Sequence, residues 1–277
     1  MAALKLKSLY LSDSDLDFVV REAGIQIADR ERFKQLIRED ISFRKALISD
    51  DKLFQRVISD KEVFLLISPA LYFEILLRHA QKVISRTPYT VEKIGRSQVH
   101  VFDTEQVVEL LAREEILEYL ADLLASFTRT ESYSIPVRVK RGVWRRIRFS
   151  DMDIDVLSRM CSVVGEEQKF SFYKRIADIC LFILGVYPEF TYFDYMYPFS
   201  QETITGLSSA GRKGIQEYEQ IGKKFYQLAG EHYLAKRFEL TEVFQKLCEN
   251  FNVAWKPLNF LAQHYLRHRT DYSAAAN

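Results

Sequence analysis

Glycine, proline and cysteine are all scarce in this chain, and neither sign of charge prevails. Ten glycines and six prolines in 277 residues supply too few tight turns for a sheet-rich protein, so the composition reads as mainly helical. The three cysteines, Cys161, Cys180 and Cys248, are odd in number and widely spaced. They make neither a disulfide framework nor a zinc-binding spacing, and a reducing, cytoplasmic setting is expected. The 39 basic and 38 acidic side chains nearly cancel, which removes any chain-wide attraction to nucleic acid or an anionic membrane. Such attraction has to come from a local patch. The longest apolar run, Ile176 to Tyr187, is broken by Asp178 and is too short to span a bilayer. The N-terminal residues lack an apolar core of signal-peptide length, so no membrane partner is expected. No phosphate-cradling glycine loop, nucleophile elbow or dinucleotide fingerprint occurs, and the reading leans away from an enzyme, with no cofactor or metal.

What is present begins with helical signals. Ser12-Asp-Ser-Asp15 places a hydroxyl cap and two carboxylates at a helix start. Ser68-Pro69 repeats the signal, with serine as cap and proline in the first turn. Two segments change period from helical to alternating. Residues 89–102 read as one small β-hairpin, and residues 133–149 as a second. The segment Phe172 to Glu189 is apolar from Ile176 to Tyr187 apart from Asp178, which predicts a helix buried on every side. Its lone carboxylate calls for a partner, for which Arg175 stands three residues earlier, and Gly185 and Pro188 are expected to stop the helix. With no low-complexity linker and no fixed-period repeat, the expected architecture is one mainly α, multi-helix domain over 1–277. It has a buried central helix and two small β-hairpins as insertions.

Two segments carry candidate function. Between Arg138 and Arg148 the chain holds six cations. Alternation puts Arg138 and Lys140 on one strand face, and Arg146 and Arg148 on one face of the return strand. If the register aligns the two pairs, Arg138, Lys140, Arg146 and Arg148 form a ribbon suited to phosphates, with Trp144 available for stacking. Solvation of an exposed hairpin is the plainer reading. The second segment, residues 190–199, packs six aromatics into ten residues. Tyr192, Tyr195 and Tyr197 there suit a partner surface or the wall of a ligand pocket, and packing over the buried helix accounts for the segment equally well. His264 and His268, four apart, suit a helix end better than a metal pair. Glu114, Glu115, Glu118 and Asp122 read as a solvated acidic edge.

The run Tyr173-Lys-Arg-Ile-Ala-Asp-Ile-Cys-Leu-Phe-Ile-Leu-Gly-Val-Tyr-Pro-Glu189 resembles a signature of mainly helical bacterial proteins with no assigned activity. The likeness extends loosely to the tyrosine-rich stretch and to the region of Gly214 and Tyr218. It implies a helical, intracellular unit and assigns no catalytic residue. The leading functional expectation is a non-catalytic helical protein acting through protein–protein contacts or as a homo-oligomer. The alternatives are nucleic-acid or phosphate-ligand binding through the basic hairpin 137–149, and a small-ligand protein or enzyme with a pocket beside 190–199.

Overall fold

Local caps set the first helix starts, and one carboxylate joins two of them. The computed structural model describes residues 11–23, 29–60, 62–94, 97–101, 103–128, 132–140, 143–191 and 213–266, and leaves aside the side chains of 91–99 and 132–149. At the first start, the Ser12 hydroxyl accepts from the Asp15 N–H at 3.1 Å, and the Asp15 carboxylate accepts from the Ser12 N–H at 3.0 Å. This is a complete capping box. The other oxygen of Asp15 accepts from the N–H of Ser68 at 2.6 Å, and Ser68 is itself the cap of a later helix. Asp15 is buried, and both its oxygens are used.

The described chain is mainly helical, and no described helix is long and apolar enough to cross a membrane. Contacts cluster in two compact units. One comprises Met1–Glu92, His100–Thr128 and Lys256–Asn277, the other Lys93–Val99 and Arg129–Trp255. No Gly- or Ser-rich linker marks these crossings, so composition alone shows no division.

The first unit runs through α1 (Asp13–Glu22), α2 (Arg30–Glu39), α3 (Ile41–Ile48), α4 (Asp51–Ser59) and α5 (Pro69–Ile84). It continues with α6 (Thr104–Leu111) and α7 (Glu114–Ser126), while β1 (Thr90–Ile94), paired with β2 (Ser97–Val101), is divided between the units, with Lys93–Val99 counted in the second. The long helix α5 packs along α7 and buries Leu71, Ile75, Leu76 and Leu77, while α7 buries Ile116, Leu117, Leu120 and Leu124. Each such side chain contributes roughly 1.5–3 kcal/mol of transfer free energy, before entropy is charged against it.

The second unit starts with β3 (Ser132–Lys140), which pairs antiparallel with β4 (Val143–Ser150). It continues with α8 (Ile154–Met160), α9 (Glu166–Val186), α10 (Ile215–Glu231), α11 (Tyr233–Arg237), α12 (Thr241–Glu249) and α13 (Phe251–Ala254). The chain then returns to the first unit as α14 (Lys256–Leu261), which packs on α5. In α9 Ile176, Ala177, Ile179, Cys180, Leu181 and Leu184 are all fully buried, as the apolar run requires. Gly185, expected to stop this helix, lies inside its last turn. The helix ends at Val186, and Pro188 opens a 3-10 turn, Pro188–Thr191.

Helix α10 packs against both α9 and α12, and an aromatic cluster fills the space between them. Tyr226 stacks on Phe244 at 5.7 Å, and Phe170 lies 6.0 Å from Phe244. Gly222 lets α10 approach α13 closely, because a Cβ built there would overlap the Phe251 ring. That ring is fully buried and has nowhere to retreat. Gly222→Ala should therefore destabilise the protein by roughly 1–3 kcal/mol in urea melts despite alanine's better helix propensity.

The end of α11 predicts the opposite sign. Glu239 has φ 59°, the Leu240 N–H reaches the Ala235 carbonyl at 2.8 Å, and the Glu239 N–H reaches that of Lys236 at 3.2 Å. This is a Schellman motif with a non-glycine residue in the left-handed position. Glu239→Gly should raise stability by about 0.5–1 kcal/mol, read as a higher urea midpoint at unchanged slope.

Candidate functional site

A β-ladder has two faces, and the register decides which residues share one. In β3–β4 the opposed pairs are Ser134 with Arg148, Ile135 with Ile147, Pro136 with Arg146, Val137 with Arg145, and Arg138 with Trp144. Alternation then assigns Arg138, Trp144, Arg146 and Arg148 to one face, and Ile135, Val137, Ile147 and Phe149 to the other. The only cation that this stretch of register assigns to the second face is Arg145. No aspartate or glutamate occurs from Ser132 to Ser150, so no acidic residue of the two strands offsets the arginines.

One position departs from the expected ribbon. The register shifts between Arg138 and Lys140, and Lys140 pairs with Val143. Val143 has the parity of Arg145, so the extra residue takes Lys140 out of step with Arg138. Strict alternation placed both on one face, and a bulge is invisible to alternation. Register positions alone locate these residues, since their side chains lie outside the described set. Tyr192, Tyr195 and Tyr197, with the whole of 192–200, lie outside the described residues altogether.

The carboxylate of the buried helix has a partner other than the expected one. Asp178 accepts from Lys174 Nζ at 2.6 Å and from the Tyr226 hydroxyl at 2.8 Å. Arg175 turns to Asp151, on its carboxylate and on its backbone carbonyl. A spacing of four residues stacks Lys174 under Asp178, whereas Arg175 projects toward the segment before α8. Cys180, two residues on, is buried, and burial pushes its thiol far up. Burial likewise raises Cys161 to about 11. Both stay protonated at neutral pH, the reverse of an activated nucleophile.

A cluster of buried charge in the first unit escaped the sequence reading. Glu118 is buried and paired with Arg44 of α3, which is also buried. Arg78 of α5 lies 2.7 Å from Glu74 and 2.8 Å from Glu114, and Lys45 lies 2.5 Å from Glu114. The α7 edge is thus only partly solvated, because Glu114 and Glu118 face cations of α3 and α5. The available signal was Glu74 and Arg78, four apart within an apolar helix. Burial works to raise Glu114, but Arg78 and Lys45 hold it below the usual carboxylate value. Burial pushes Glu118 up to about 7 against the pull of Arg44.

His264 lies in a π-helical turn, Ala262–Leu266, stacked on Phe260 at 4.1 Å, and His268 lies outside the described residues. Among the described residues no group of three or more His, Cys, Asp or Glu side chains is set to hold a metal. A furrow along α2, with Phe33 and Leu36 in its wall, takes its lining from that helix and its Asp29 cap.

No family model, curated protein or solved structure matches the chain. The residues and their placement carry the functional argument.

The Glu118 cluster makes a prediction about pH. With a folded value near 7 and an ordinary value of 4.5, Glu118 keeps its proton in the folded protein while the unfolded chain loses it. Its contribution to stability is therefore present below about pH 4.5 and lost as pH rises through 7. Glu118→Gln removes this dependence. Relative to that variant, the wild type should lose on the order of 2 kcal/mol of unfolding free energy between pH 5 and 7.5, measured by urea titration. A gap that does not change with pH would mean that Glu118 is ionised throughout.

Proposed function

We propose that this chain is a binding protein that engages a phosphate-bearing polymer, nucleic acid above all, through the arginine face of β3–β4. The observation that carries the reading is the register. It brings Arg138, Arg146 and Arg148 to one ladder face together with Trp144, while the opposite face is mainly apolar by position. Guanidinium groups suit phosphate because their planar fork donates two parallel hydrogen bonds. The protein-contact reading depends on residues 190–199, most of which lie outside the described set, so the ladder has the firmer support.

The near-balanced charge of the whole chain shapes the expectation. Long-range steering is weak, so binding depends on the ladder itself and is salt-sensitive. Three phosphate contacts correspond to a slope of log affinity against log salt of about −2 on single strands. Fluorescence anisotropy with labelled oligonucleotides between 50 and 200 mM salt reads this slope. The triple variant R138A/R146A/R148A should lose at least about tenfold in affinity at low salt and flatten the slope toward zero. Lys140→Ala should cost less than any single arginine replacement, because the bulge sets it off the face. Absence of binding at 50 mM salt, or an unchanged triple variant, defeats the proposal. Equal losses from Lys140 and the arginines would indicate bulk charge and not the ladder face.

A further inference from the structure

We infer that the polymer is a single-stranded nucleic acid, recognised by base stacking on Trp144 between cations that hold its backbone. This rests on the binding role just proposed for β3–β4 and narrows it to one ligand class. Trp144 sits directly opposite Arg138 and two positions from Arg146 on the same strand, with Arg148 two positions further. An indole has nothing to offer a phosphate except one N–H donor. Its π face suits a base, and only an unpaired base presents a free face to it.

The spacing agrees. Alternate positions on a strand lie about 6.6–6.8 Å apart, comparable to the step between successive phosphates of an extended single strand. From the Ser134–Arg148 pair to the Arg138–Trp144 pair the ladder covers roughly 13 Å, a footprint of two or three nucleotides. A two-stranded ribbon can also enter the major groove of a duplex, where it reads base edges with arginine, asparagine or glutamine. Arg138, Arg146 and Arg148 serve phosphate and base edge alike, so they do not separate the two ligands; Trp144, on the same face, does, because its ring has a stacking surface and no bidentate edge for a base pair.

The test compares wild type, Trp144→Ala and Trp144→Phe on three labelled probes at one salt concentration. The probes are a mixed-sequence single-stranded 12-mer, the corresponding duplex, and inorganic polyphosphate. The wild type should prefer the single strand to the duplex by at least about tenfold. Trp144→Ala should weaken single-strand binding about 5- to 150-fold, the value of one lost stack. It should leave duplex and polyphosphate binding within about twofold, and Trp144→Phe should restore most of the loss. Circular dichroism of both variants confirms that the fold is retained. Equal affinity for strand and duplex, or an unaffected Trp144→Ala, overturns the single-strand inference and leaves polyanion binding standing. Loss of salt-sensitive binding to all three probes in the wild type overturns both.

Discussion

Charge buried inside apolar helices is the constraint on which both units depend. In the first unit α5 carries Glu74 and Arg78 through a hydrophobic face, and α7 carries Glu114 and Glu118 to meet Arg78, Lys45 and Arg44. In the second, α9 carries Asp178 and α10 brings Tyr226 to it. An ionised group in such a place, or a polar one such as protonated Glu118, costs free energy when its partner is missing, so each helix has one sliding position at which the partners meet. Apolar packing alone tolerates small shifts of one helix along another. The Arg78–Glu114 ion pair, 2.8 Å apart, does not, and it fixes which turn of α5 lies against which turn of α7.

The same economy of charge bears on the ladder. Elsewhere in the described chain many cations have a carboxylate close by, such as Lys34 with Asp17, Lys213 with Asp155 and Lys246 with Glu249. The β3–β4 strands have no acidic residue of their own. Six of the 39 basic residues fall between Arg138 and Arg148, a local density that the near-balanced total conceals. That density of basic residues along the sequence is what the proposed binding role rests on.

Much of the helical framework was legible because its determinants are local. Ser12 and Ser68 cap helices within three residues of themselves, and the apolar run from Ile176 requires burial whatever surrounds it. The six cations near 138–148 were equally plain. Their sorting onto faces was not, since the Lys140 bulge is a property of two strands and appears in neither alone. The further partners of this segment were hidden for a similar reason. Lys174 and Arg175 are both within reach of Asp178 along the helix, and only the fold brings Tyr226 to Asp178 and Asp151 to Arg175.

By itself, then, the sequence determined a mainly helical chain with capped starts, one helix apolar from Ile176 apart from Asp178, and a cation-rich segment free of acids. Each of these follows from residues only a few positions apart. Tertiary structure alone decided that Glu118 is buried against Arg44, that Gly222 admits the Phe251 ring, and which arginines share a face with Trp144. The first two join residues separated by tens of positions. The third hangs on a one-residue register shift between strands, which no periodicity of a single strand records.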